Sequence, residues 1–169
     1  MTQIYTIGYE GTDIERFVRT LKIVGVEQLV DVRAVPLSRK KGFSKNRLRD
    51  RVEAEGIRYV HLSPLGDPKD GREAAKAGRF DQFRRIYSKH LSGAVAQECL
   101  TTLANLIVEK STCLMCFERD PAECHRSIVA SELKAVETLH LFADEPNRYV
   151  RNASKLPGRR SYQGASAAQ

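Results

Sequence analysis

Short apolar runs recur along this chain with helix-periodic segments between them, and that alternation restricts the fold more than any other feature. "QIYTIGY" reads as a first strand, bounded by Gly8 and Gly11. Thr12 and Glu15 then have the spacing of a capping box, and Ile14, Phe17, Val18 and Leu21 recur at helical spacing up to Gly25 as a stop. "QLVDVRAV" is a second strand whose near-continuous Leu29, Val30 and Val32 suit burial on both faces, as in a parallel sheet, and Pro36 ends it. Ser44 caps a surface helix with few apolar residues, mainly Leu48 and Val52, which Gly56 closes. "IRYVHL" makes a third strand, and "SPLGDPKDG" is dense in turn residues and reads as a loop. One or two helices follow between Arg79 and Lys110, with Ser92 and Gly93 as the break. "TCLMCF" is a fourth strand, a helix covers residues 126–134, and "TLHLF" is a fifth strand.

Strands separated by helices predict a single α/β domain of three layers, Rossmann-like, with a mostly parallel sheet of about five strands. The domain spans residues 1–143. Residues 144–169 have little apolar periodicity and end in small polar residues, which predicts a basic, partly mobile tail. A chain of 169 residues can bury a core without disulfides or metal. No apolar stretch approaches the roughly 20 residues of a membrane span, and no secretory signal is visible at the start, so a cytoplasmic location and no membrane partner are expected. Such a compartment keeps Cys99, Cys113, Cys116 and Cys124 as thiols.

The net charge of +7 is unevenly placed. Residues 39–58 carry eight Lys or Arg against three acids, and residues 147–169 carry five against none. A basic patch attracts phosphate groups without reading sequence, so nucleic acid is a possible partner; a solvated helix face with a basic tail accounts for the same charges.

In an open parallel sheet, ligands bind outside the carboxyl ends of the strands. There the loops converge and helix N-termini point inward. Applied to these strands, that rule gathers the unusual polar residues at one edge. The first strand delivers Tyr9 and Glu10; the second, Asp31, Arg33 and Ser38; the third, Gly66 and Asp67; the fourth, Cys116, Glu118, Arg119, Cys124, His125 and Arg126.

"TIGYEG", "LVDVRAVPLS", "YVHLSPLGD" and "CFERDPAECHRSIVASEL", in that order, resemble the domain of unknown function 488 family over most of residues 3–142. The resemblance implies a compact α/β domain and use of the Cys-His-Arg segment. It implies no reaction.

Asp120, Pro121 and Glu123 form a helix start, which puts Cys124 in its first turn or at the start of a helix reset after a short turn. Either placement lowers a thiol pKa through the helix dipole, with Arg119 and Arg126 near in sequence. Cys124 is then a nucleophile or redox centre, against the alternative of a small residue packed on the sheet. His125 is a candidate for proton transfer, and Asp31 and Glu118 for orientation or proton handling. Arg33 and Arg126 suit an anion clamp, although Asp31 with Arg33 can also form a mutual ion pair, and Arg126 can pair with Asp31 or Glu118. Tyr9 and Glu10 add a stacking ring and a second acid, and Ser38, Gly66 and Cys116 complete the expected substrate-binding set.

Cys113, Cys116, Cys124 and His125 are four nominal zinc ligands, but residues three apart on a strand point to opposite faces, so no metal is expected. No cofactor is expected either: the glycine-rich phosphate loop with Lys-Ser/Thr is absent. A phosphatase-type loop would need arginine at position 122 after Cys116 or at position 130 after Cys124, and both positions are alanine here. The sequence therefore favours an enzyme that binds an anionic, phosphorylated or nucleotide-like molecule at the carboxyl edge of the sheet. The competing reading is a nucleic-acid-binding module using residues 39–58 and the basic tail, with the Cys-His-Arg segment structural; a protein of pure interaction is the third. Oligomeric state is not assigned.

Overall fold

The structure, a computed structural model, describes residues 2–151 together with 165 and 166. Five strands, β1 (Thr2–Gly8), β2 (Gln28–Asp31), β3 (Arg58–His61), β4 (Thr112–Cys116) and β5 (Val136–Phe142), are parallel and lie in the order β3-β2-β4-β1-β5. The expected α/β domain with a mostly parallel sheet is what forms. Side chains alternate across it. Leu29, Cys113 and Met115 enter one apolar cluster, while Val30, Leu114 and Cys116 enter the other.

The helices divide between these two clusters, giving three layers. α1 (Ile14–Val24) and α2 (Lys45–Glu53) bury Phe17, Leu21, Leu48 and Val52 on one face. α3 (Lys69–Lys76), α4 (Phe80–Leu91), α5 (Ala94–Glu109) and α6 (His125–Glu132) cover the other, with Phe83, Tyr87, Leu103 and Val129 inward. Burial of side chains of this size contributes about 1.5–3 kcal/mol each, so the two clusters hold the sheet between them. Among the described residues, no single helix is long and apolar enough to cross a membrane.

Several local expectations change. Asp13, rather than Thr12, caps α1, its carboxylate accepting from Arg16 N at 2.9 Å. Thr12 donates instead to Asp144 across the turn after β5. β2 stops at Asp31, although Val32 N still reaches Met115 O at 3.2 Å. Ser44 precedes α2 without capping it, because its hydroxyl is taken up by the backbone of Ser38.

The stretch expected to be a loop after β3, residues 63–71, contains a short 3-10 turn, Ser63–Leu65, and the start of α3, which runs on through residues 72–76. Gly71 disguises that helix in the sequence. Packing compensates its low helix propensity, since Gly71 is buried and lies against Phe83 and Ile86 of α4.

Glu145–Arg151, placed in the tail by its sequence, pairs antiparallel with β5 as β6, and Ala165–Ser166 adds to it as β7. Pro146 hides this strand, but proline is tolerated near a strand's start. The rest of the expected mobile tail, residues 152–164 and 167–169, lies outside the described residues.

β1 and β4 are neighbours whose chains leave for opposite layers, β1 into α1 and β4 toward α6. Such a divergence opens a crevice at the carboxyl ends of the strands. Gly8 ends β1 there, and a Cβ on it would lie 1.8 Å from Glu118 O. Gly8→Ala is therefore expected to lower stability by about 1–3 kcal/mol, the usual cost of overpacking, read as a fall in the denaturant midpoint. An unchanged midpoint would show that the β4 turn can move away.

Candidate functional site

The crevice is a cleft of about 500 Å³. Every strand expected to contribute supplies part of its wall: Tyr9 after β1, Arg33 to Arg39 after β2, Asp67 to Phe80 after β3, and Cys116, Phe117, Glu118, Glu123 and His125 after β4. Six of the expected site residues thus line one hollow: Tyr9, Arg33, Ser38, Cys116, Glu118 and His125.

On the α1 side, Asp31 and Arg33 form the mutual ion pair that the sequence left open. Arg33 Nε and an NH2 donate to the two carboxylate oxygens of Asp31 at 2.9 and 2.7 Å, with both residues buried. The other Arg33 nitrogen donates to Phe43 O at 2.7 Å and Tyr9 OH at 3.2 Å. Burial pulls the guanidinium pKa down, and Asp31, by hydrogen bond and charge, more than reverses it, so Arg33 stays protonated. Tyr59 donates to Asp31 at 2.6 Å. Burial first and the Asp31 charge second push its phenol up, so that it stays a donor. Asp31 does not reach the cleft; it holds Arg33 at the edge of it. Tyr9 stacks on Phe43 with centroids 4.4 Å apart and meets Phe117 edge-on at 5.3 Å.

On the opposite side of the sheet, the helix restarts. Asp120 caps the short turn Pro121–Glu123 through Ala122 N at 2.9 Å, and Cys124, extended at φ −129°, is itself the N-cap of α6. Arg126 N donates to its sulfur at 3.5 Å. The sulfurs of Cys116 and Cys124 are bonded, at 1.98 Å, so this pair is a disulfide where four thiols were expected. The turn brings the end of β4 and the start of α6 together, a contact that sequence separation alone does not reveal. Cys99 and Cys113 are free, and burial pushes both thiols up. Cys124 is buried within the apolar cluster and does not line the cleft.

His125 Nε2 lies 2.6 Å from Val32 O. A carbonyl only accepts, so Nε2 carries the hydrogen and Nδ1, 3.9 Å from Cys124 Sγ, presents a lone pair. Glu118 Oε2 lies 3.4 Å from Cys116 Sγ. Burial raises its carboxyl pKa, with its own backbone, His125 and Arg126 working the other way.

Arg126 does not form a clamp with Arg33. It is fully buried on the other face, donating to Thr6 Oγ1 at 3.1 Å, Cys116 Sγ at 3.2 Å, Arg119 O at 3.1 Å and Glu118 O. Its expected carboxylate partners give way to backbone carbonyls. Glu10 also turns from the cleft and accepts from Arg119 N at 3.1 Å. Arg119 itself pairs with Glu145 at 2.6 Å, away from the sulfurs. Gly66 is not part of the cleft wall but packs backbone against backbone: a Cβ there would lie 2.2 Å from Ala34 N.

Arg39, Arg72, Lys76, Phe80 and Phe117 line the cleft without having been singled out by sequence. Arg72 and Lys76 escaped because residues 72–78, between the expected loop and the expected helices, show no clear periodicity; Arg39 lay in a charge run where no one residue stood apart. Arg72 is 3.6 Å from Asp67, whereas Arg39 and Lys76 have no acidic partner among the described residues.

The family model described as "Domain of unknown function DUF488" matches residues 13–133. No curated protein and no solved structure matches.

Two stability measurements follow from these contacts. Asp31→Asn leaves Arg33 buried beside a neutral amide, and removal of one partner of a buried pair typically costs about 3–5 kcal/mol; a loss below 1 kcal/mol would mean that the pair is solvated. His140 accepts from Thr6 at 2.6 Å and is pushed down to about 3, by burial first and Arg126 second. Its folded pKa is below the unfolded value near 6.5, so its contribution is present above about pH 6.5 and is lost as pH falls toward 3. His140→Gln should flatten the acid limb of stability against pH by up to about 1.4 kcal/mol per unit, and an unaltered slope would assign that limb elsewhere.

Proposed function

The chain belongs to the domain of unknown function DUF488 family, whose description assigns no reaction, and we propose from the cleft that it is an enzyme acting on an anionic, phosphorylated or nucleotide-like small molecule. One observation carries this reading. Arg39 and Lys76, without acidic partners among the described residues, line the same hollow as the rings of Tyr9, Phe80 and Phe117 and the polar groups of Cys116, Glu118 and His125. Unpaired cations attract phosphate, the partly exposed rings of Phe80 and Phe117 are free to stack on a planar group, and a titratable acid and an imidazole at the same wall are suited to proton transfer.

The roles divide accordingly. Arg39, Lys76 and Arg72 receive the anion, and Arg33, fixed by Asp31, adds positive potential at the edge. Glu118 and His125 handle protons. The cysteine pair supplies sulfur chemistry, with Cys116 the member that borders the cleft.

The nucleic-acid reading draws less support from the basic stretch than its charge suggests. Three of its eight cations are engaged: Arg49 with Asp50, Arg51 with Glu15 and Glu55, and Arg58 with Glu109. Arg39, Lys40, Lys41, Lys45 and Arg47 remain for phosphate contacts.

Calorimetric titration with adenosine monophosphate, ribose 5-phosphate and inorganic phosphate tests the anion reading. At least one is expected to bind, and Arg39→Ala with Lys76→Ala is expected to weaken it about tenfold or more, the loss of charge-assisted contacts. Absence of binding by all three, with salt-sensitive binding of a single-stranded oligonucleotide, would favour the alternative.

A further inference from the structure

We propose that Cys116, Cys124 and His125, once a thiol or phosphine reductant has opened the Cys116–Cys124 disulfide to two thiols, bind one zinc-like divalent transition-metal ion through two thiolates and a neutral imidazole, releasing the two thiol protons and leaving a fourth coordination position at the cleft. The ligand atoms of these three buried residues all lie within 4.8 Å of one another. Two thiolates balance a divalent charge, so ion and ligands together bring no net charge into the apolar cluster around them.

The surroundings suit each ligand. His125 donates through Nε2 to Val32 O, and this fixes the ring with the Nδ1 lone pair toward Cys124. A second-shell carbonyl of this kind is the usual device for orienting a metal-binding imidazole. Arg126 supplies hydrogen bonds to both sulfurs, from its backbone to Cys124 and from its guanidinium to Cys116. The Cα atoms of the two cysteines stand 7.4 Å apart. At that spacing, with the bond between them reduced, both sulfurs have room to turn onto a shared ion.

The objection from sequence concerned Cys113, and it stands: Cys113 faces the other apolar cluster. What remains is a site of three protein ligands rather than four, the pattern of zinc sites that bind water or substrate in the open position. Cys116, Glu118 and His125 all border the cleft, so a water or an oxygen of the bound molecule completes the coordination beside Glu118. This inference deepens the enzyme reading and rests on it only for the use of that open position; with the ion bound, His125 and both sulfurs serve as ligands, and Glu118 alone keeps the proton-handling role.

The test is cobalt and zinc titration of chelator-treated full-length protein held reduced by a phosphine, with no anion added. One equivalent of cobalt is expected to produce intense visible and thiolate charge-transfer absorption, and zinc to displace it. Zinc should also protect Cys116 and Cys124 of the wild-type protein from alkylation while leaving the reactivity of Cys99 unchanged. Cys124→Ser and His125→Ala should each weaken uptake at least about tenfold. Absence of the cobalt bands, or alkylation of Cys116 and Cys124 unaffected by zinc, overturns the proposal. So does uptake unchanged in a folded Cys124→Ser; should that variant not fold, wild-type protection alone decides. Failure of metal uptake with anion binding intact removes the metal and keeps the anion reading; the converse removes only the anion reading.

Discussion

The guanidinium of Arg126 joins the three segments from which the site is built. It reaches Thr6 of β1, Cys116 at the end of β4, and the carbonyls of Glu118 and Arg119 in the turn beyond, while its own backbone starts α6. A buried charge is tolerated only where its donors are met, and the planar fork of arginine offers five in fixed directions. The turn carrying Glu118 is thereby held against Gly8, where the two backbones approach too closely for a side chain. Thr6 passes the arrangement on to His140 in β5, so the carboxyl edge of three adjacent strands shares one hydrogen-bonded chain. Lysine, with a compact ammonium, could not meet the same four acceptors.

The sheet separates two charge systems that sequence proximity to one edge seems to merge. Asp31 and Arg33 satisfy each other on the α1 face, and Arg126 spends its donors on the α6 face. Arg33 lies just past the end of an apolar strand and Arg126 in the first turn of α6, and because both are buried they must be satisfied internally. The cations left for a ligand are the inconspicuous ones on polar segments, Arg39 and Lys76. Buried charges build this cleft; the exposed Arg39 and Lys76 face into it.

Much of the fold was legible because its signals are local. Apolar runs of strand length, glycine stops and helical periodicity located all five parallel strands and most helices, and the carboxyl-edge rule then located the hollow. The failures arose where tertiary contacts override local preference. Gly71 sits inside a helix because α4 packs over it, and Glu145–Arg151 becomes a strand because β5 offers it an edge. Pairing of Cys116 with Cys124 depends on how tightly the chain turns at Pro121, and the direction of a side chain across the sheet depends on register. Neither is encoded in residue type. Thus the neighbourhood of Tyr9, Arg33, Ser38, Cys116, Glu118 and His125 could be read in advance, while the withdrawal of Glu10, Asp31, Cys124 and Arg126 from its surface could not.

Gly66 resting on Ala34 gives the hollow a fixed gauge. The chain leaving β3 touches the chain leaving β2 backbone to backbone, and Tyr87 and His90 of α4 clamp the same turn through Leu65 O and Pro64 O. A single methyl group inserted at that contact would act as a wedge, prising two walls apart rather than filling a void. The width of this cavity is thus governed by an atom that the chain does without.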